Sequence, residues 1–331
     1  MSYNRRQFLE SASALGLASM LGYSRMASAE PPPEVRKIRL VNGPFLCFAP
    51  LYLAEALLRI EGFSEIEYVP VEYTLPATLA KSADISLFGG PSILPAIDSG
   101  LPLVVIAGLH AGCWELFGNE RVNSIRDLKG KRVAVSDMGG VEHVWISSIL
   151  AYVGIDPRTV INWVPTGKLA ESQRQFLAGK VDAFLAFPPQ PSDMRAAKVG
   201  SVIVNTTLDR PWSQYFCCIV GANRQFSTQN PIATKRALRA LLKAADICAE
   251  QPEYVARFLG EKGYEPRYDV ALEVIKSLPY DRWRQADPED TIRFHALRLH
   301  EVGMIKSTPQ KIIAQGTDWR FLNELKKELK A

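Results

Sequence analysis

Between Lys37 and Asn205 short apolar runs alternate with amphipathic stretches, and few architectures accept that rhythm. Strands are expected at Lys37–Val41, Ile66–Val71, Asp84–Phe88, Leu103–Ala107, Arg132–Val135, Ile161–Val164, Asp182–Phe187 and Val202–Asn205. Helical periodicity falls between them, at Ala49–Ile60, Ala77–Lys81, Ser92–Asp98, Val141–Val153 and Leu169–Ala178. The strands are near-continuous Val, Ile and Leu rather than alternating, so both faces are buried under helices. That predicts an α/β protein with largely parallel sheets. A faint internal echo points to two similarly built lobes. Lys81-Ser82-Ala83-Asp84 and Gly179-Lys180-Val181-Asp182 each open a strand that ends in Phe and runs on to a proline. From Pro231 onward the pattern is almost wholly helical, and the Lys/Glu alternation of Trp319–Lys330 reads as a solvated face.

Residues 1–29 stand apart from this pattern. Arg5-Arg6 precedes Phe8-Leu9, a mildly apolar stretch runs from Ser11 to Gly22, and Ala27-Ser28-Ala29 is a small-x-small cleavage pattern. The order resembles a bacterial twin-arginine (Tat) export signal, with Asn4 and Glu10 in place of the usual Ser/Thr and Lys. Pro31-Pro32-Pro33 separates it from the first strand, which argues against a first helix of the domain. Its removal leaves 36 basic against 34 acidic residues, nearly neutral. No cysteine sits at the cleavage point, and no basic cluster marks a nucleic-acid surface. The expectation is an exported, soluble, periplasmic monomer.

Enzyme signatures are missing: the sequence holds no G-x-S-x-G, H-E-x-x-H or G-x-x-x-x-G-K-[ST]. His295 and His300 are expected on a surface helix without a role, and His110 and His143 at loop or helix starts. Five cysteines at 47, 113, 217, 218 and 248 show no disulfide framework spacing. Cys217 and Cys218, adjacent in a strand-like run, are expected on opposite faces. They read as buried structural thiols, so neither a metal nor a cofactor is predicted.

Several phrases carry a likeness: Asn42-Gly43-Pro44-Phe45, the run from Ala83 to Gly90, Ser124 to Val135 with its Asp-Leu-Lys-Gly-Lys-Arg-Val core, and Gly179 to Ala183. Together they resemble the periplasmic solute-binding component of an ABC importer, in the nitrate/sulfonate/taurine (NMT1/THI5-like) group. The resemblance implies a two-lobed periplasmic-binding-protein fold (type II) with the ligand in a cleft between lobes. It places the first lobe at 36–118 and 214–331, the second at 119–213, and the crossings near 118–123 and 206–213. It also implies a membrane permease and an ATPase as partners. The rival is an enzyme on the same fold. Yeast pyrimidine-precursor synthases use a His, a Lys-bound cofactor and a Cys-rich run, of which Cys217-Cys218 is only a fragment.

In open α/β sheets, ligands sit beyond strand carboxyl ends, where helix N-termini expose N–H groups. Three turns fall there: Asn42 to Phe45, Gly89-Gly90-Pro91-Ser92, and Met138-Gly139-Gly140 before the helix that carries Glu142 and His143. Each alone is as well explained by an ordinary βα turn. Aromatics supply a second set of candidates, with Phe45 near a strand end, Trp114 before the first crossing, Phe187 after a strand, and Trp212 at the second crossing. Glu115 lies in the same zone and fits either a ligand amine or a salt bridge at the lobe surface. No arginine falls in the expected cleft. The ligand is therefore a sulfonate- or nitrate-like anion held by backbone amides, or a neutral aromatic or heterocyclic compound between ring walls, with the balance slightly toward the second.

Overall fold

The computed structural model describes residues 30–43, 45–72 and 74–330. The export segment, residues 1–29, lies outside the described residues. Pro33–Ala331 forms one compact unit. Its ten strands are β1 (Lys37–Asn42), β2 (Glu65–Pro70), β3 (Ile85–Gly89), β4 (Leu103–Ala111), β5 (Glu115–Gly118), β6 (Arg132–Val135), β7 (Asn162–Pro165), β8 (Ala183–Ala186), β9 (Ser201–Asn205) and β10 (Phe216–Asn223). They form two five-stranded sheets, ordered β2-β1-β3-β10-β4 and β7-β6-β8-β5-β9. The fold is the two-lobed, type II periplasmic-binding-protein architecture.

Each sheet is mixed rather than largely parallel. β10 runs antiparallel between β3 and β4, and β5 antiparallel between β8 and β9. The reason is the connectivity: each of these strands is where the chain arrives from the other lobe, so it enters its sheet against the direction of its neighbours. β5 joins the second sheet from Glu115, so the chain changes lobe across 112–114, ahead of the crossing expected at 118–123. It returns across 206–215. Trp114 and Thr206 tie the two passages together: Trp114 N donates to Thr206 Oγ1 at 3.0 Å, and Thr206 N donates to the Trp114 carbonyl at 2.9 Å.

The internal echo has a structural counterpart. Asp84 accepts from the backbone N of Arg39 at 2.8 Å and from its guanidinium at 2.7 Å. Asp182 accepts from the backbone N of Arg132 at 2.9 Å and from its guanidinium at 3.5 Å. The aspartate ahead of β3 pins β1 in the first lobe, and the aspartate ahead of β8 pins β6 in the second. The carbonyls of Asp84 and Asp182 then accept from Asn223 N and Asn119 N, which follow or end the crossing strands β10 and β5.

Prolines open the long C-terminal helices Pro231–Glu250, Pro252–Glu261 and Pro288–Glu301, where the missing N–H costs no helical bond. Glu34 caps the first of these, accepting from Ile232 N at 2.9 Å and Ala233 N at 2.8 Å. β3 and β4 are buried along their whole length, as continuous apolar strands covered on both faces must be. Among the described residues no helix is long and apolar enough to cross a membrane.

Candidate functional site

Where the two lobes meet, four aromatic side chains close on one another. Phe45 comes from the first lobe, Trp114 from the crossing, and Phe187 and Trp145 from the second lobe. Phe45 and Phe187 meet edge to face with ring centroids 4.9 Å apart. Trp114 lies 5.5 Å from Phe187, 6.4 Å from Phe45 and 6.2 Å from Trp145. All four are buried. Such ring pairs contribute about 0.5–1.5 kcal/mol each beyond the area they bury.

Gly89 makes this approach possible. A methyl added there would sit 3.0 Å from Trp145 Nε1 and 3.2 Å from Val141 Cγ2, so the first lobe's turn lies directly on the second lobe's helix Val141–Tyr152. Gly90 is equally constrained, with Phe216 O at 2.7 Å from the same hypothetical atom. Ser92 Oγ donates to Gly89 O at 2.6 Å and so braces its own turn. The remaining cavity, between Phe45, Leu75, Gly89, Trp114, Val141 and Cys218, is only about 10 Å³. That is the least a single water needs. A larger cavity, about 400 Å³, lies between Glu115, Pro188, Arg195, Thr207 and Leu278.

The polar groups around this closed seam are unusual. Trp114 Nε1 and Trp145 Nε1 are buried without a hydrogen-bond partner. Native interiors pair most such groups, so these two indole donors stand out. No lysine or arginine lines the cavity.

Other expected residues go elsewhere. Glu115 faces away from the aromatic seam and is taken by Arg195, whose Nη1 reaches its two oxygens at 3.0 and 2.9 Å. Arg195 Nη2 continues to Glu273 of the first lobe at 3.0 Å, making an interlobe ion-pair chain at the cleft rim. Met138 is half exposed at 53%. Gly139 N donates to His143 Nδ1 at 2.9 Å, and His143 stacks edge-on against Trp163 of its own lobe at 4.6 Å. Gly140 is required by its own turn, since an added methyl would meet Asp137 O at 2.9 Å. Trp212 packs on Tyr152, two turns along the helix from Trp145, at 5.5 Å. Glu142 accepts from Ser136 N at 3.0 Å and Ser136 Oγ at 2.7 Å, and burial pushes its carboxyl above the usual range.

Two expectations are overturned. His295 is not on a surface face: it is 1% exposed, with Nδ1 3.0 Å from Ser148 Oγ and its ring against Trp145. Ile292, His295, Ala296 and Leu299 form the buried stripe of helix Pro288–Glu301, a spacing of i, i+3, i+4 and i+7. Cys217 and Cys218 do not part to opposite faces as far as their sulfurs are concerned. β10 slips register at both, with Phe216 opposite Ala111 and Cys218 opposite His110, and a bulge of this kind re-aims side chains. Cys217 Sγ reaches Cys113 Sγ at 2.7 Å and Cys218 Sγ reaches Cys47 Sγ at 3.8 Å.

His295 sets an acid limit on stability. Burial pulls its pKa from 6.5 down to about 3. Between those values the unfolded chain takes up a proton that the native imidazole refuses, so stability falls as pH drops below about 6.5. Urea unfolding should show a loss of about 2 kcal/mol from this group between about pH 7 and pH 5. His295→Gln, which keeps a partner for Ser148, should lose that component of the slope; an unchanged slope would show that the histidine ionises freely in the native state.

Two five-stranded sheets therefore meet at a seam lined by aromatic rings, two of whose indole N–H groups have no partner. Residues 65–255 match the NMT1/THI5-like family model, and the chain belongs to that family. Among solved structures it is similar to the periplasmic nitrate-binding protein NrtA of Synechocystis PCC 6803, at 17% identity and TM-score 0.72, covering 91% of this chain and 90% of that one. It is also similar to the alkanesulfonate-binding protein SsuA of Xanthomonas axonopodis pv. citri bound to MOPS, at 20% identity and TM-score 0.62, covering 76% and 86%. A Candida albicans gene product described as having the generic periplasmic binding protein fold matches at 15% identity and TM-score 0.67, covering 86% and 96%. No curated protein matches the chain.

Proposed function

We propose that this protein is the exported solute-binding component of an ABC importer. It captures a small, flat, neutral aromatic or heterocyclic compound between its lobes and releases it unchanged to a membrane permease driven by an ATPase. The observation that carries the reading is the interlobe seam: Phe45, Trp114, Trp145 and Phe187 with two partnerless indole N–H groups and no cationic side chain. A ring system with an acceptor atom gains stacking from the walls and hydrogen bonds from the indoles. An anion would lack a counter-charge there. Opening by hinge motion at the two crossings and closure on the solute would be the signal read by the permease. The signal at residues 1–29 supports export and a periplasmic location, and the molecule is proposed to act as a monomer.

A thermal-shift screen over pyrimidines, aromatic acids, alkanesulfonates and nitrate tests this. A compound present at 100 times its Kd should add about 2.7 kcal/mol of stability. Pyrimidines or other neutral rings are expected to shift the transition and be recovered intact. A response confined to nitrate or sulfonates would reject the proposed ligand class, and turnover of the compound would favour the enzyme reading.

A further inference from the structure

Behind the seam lies a cluster that the solute reading does not use. Cys47 sits in the turn Leu46–Phe48, Cys113 between β4 and β5, and Cys218 in β10, so the three come from separate parts of the chain. Their sulfurs all lie within 4.8 Å of one another, and all three side chains are buried. We propose that Cys47, Cys113 and Cys218 form a binding site for one thiophilic cation of the Zn(II), Cd(II) and Cu(I) class, with His110 as the adjacent nitrogen donor.

Three observations converge on this. The spacing fits: sulfurs about 2.3 Å from a tetrahedral metal stand about 3.8 Å apart, and Cys47 Sγ and Cys218 Sγ are separated by 3.8 Å. His110 is fully buried and opposite Cys218 in the ladder, its Nδ1 lies 3.2 Å from the Ala111 carbonyl, and its Nε2 has no partner. An imidazole whose Nδ1–H is held by a backbone carbonyl presents the Nε2 lone pair, the arrangement seen at metal-ligating histidines. Cys113 holds φ at 123°, a left-handed conformation rare for a side-chain-bearing residue. Its backbone N donates to Thr207 Oγ1 at 3.1 Å, which fixes that conformation. Strain of this sort persists where the surroundings over-determine it, and it concentrates at functional sites.

Entry is also provided for. Cys47 and Cys218 border the small cavity at the seam, so parting of the lobes opens a path to them. Each sulfur that ligates gives up its proton to water, so three protons leave, the site with a divalent cation carries one net negative charge, and uptake should strengthen as pH rises.

Cadmium is the probe. The full exported chain, reduced and then freed of reductant, should bind one Cd(II) and develop a thiolate-to-cadmium charge-transfer band in the ultraviolet. The band should be lost in Cys47→Ser and in Cys218→Ser, and kept in Cys248→Ser, whose cysteine lies apart in helix Pro231–Glu250. Circular dichroism confirms that each variant is folded, and Cys47→Ala replaces any serine variant that is not. Absence of the band in the folded wild type overturns the proposal, as does its survival in folded variants of both Cys47 and Cys218. A Cys113–Cys217 disulfide in the isolated protein, detected as a chain two hydrogens lighter, overturns it too if cadmium uptake does not appear after reduction.

Discussion

Truncating Trp114 to alanine should lower the stability of the folded protein by about 3–5 kcal/mol, the range for emptying a large buried aromatic site. The indole is 2% exposed and touches Phe45, Trp145 and Phe187, which come from both lobes. Those rings cannot collapse into the space without moving the lobes relative to each other. Trp114→Phe separates packing from recognition, because it keeps most of the ring contacts and removes the partnerless Nε1–H. Its stability loss should be smaller, while solute affinity falls about tenfold, or 1.4 kcal/mol. Chemical unfolding and a binding isotherm on the same preparations check both. If Trp114→Phe binds the solute as tightly as wild type, the indole donor has no part in recognition.

Gly112→Ala should be comparably damaging for a different reason. Gly112 has φ +70°, and an added methyl would overlap Thr207 Oγ1 and lie 2.5 Å from Thr207 Cα. The flexible end of a side chain is not the only obstacle; the backbone of the second crossing is in the way. Conformational cost of about 1–2 kcal/mol adds to overpacking of about 1–3 kcal/mol. Gly100→Ala is the matched control, with φ +89° and nothing within 4 Å of the added atom. It should show the conformational cost alone. Equal losses in the two variants would mean that the crossings are free to separate around residue 112.

Much of this was readable from residue order. The eight strands expected from apolar runs are all present within a few residues; the inner β3 and β8 are buried throughout, as an unbroken apolar signature implies, whereas β2, β7 and β9 lie at sheet edges and are only partly buried. The sheets are less parallel than those unbroken runs imply. β5, Glu115–Gly118, takes its direction from a crossing that local sequence does not encode. The repeated aspartates Asp84 and Asp182 were visible as an echo, and their shared partner geometry with Arg39 and Arg132 emerged only in three dimensions.

At the seam, Phe45, Gly89, Trp114 and Phe187 were identifiable from their positions after strands or before a crossing. Trp145 was missed, although the helix that starts at Val141 places residue 145 one turn further along the same face. The thiol cluster was illegible because it depends on a bulge in β10, and a one-residue slip in a strand reverses which way its side chains point. Glu115 could be read two ways because a carboxylate near a cleft needs a partner, and only folding brings Arg195 to it.

The placement of β10 between β3 and β4 also governs the sequence of events as the polypeptide leaves the ribosome. Every strand of the second sheet lies between Glu115 and Asn205, so that lobe holds all its pairing partners once residue 205 has emerged. The first sheet was begun earlier but is finished later. Until residues 216–223 arrive, β3 and β4 have no strand between them, and both present unpaired backbone along buried, apolar segments. Such edges are aggregation-prone, and pairings this distant along the chain form slowly. The lobe synthesised first is therefore the one that most needs protection by a chaperone during synthesis, and the inserted lobe is complete before its host.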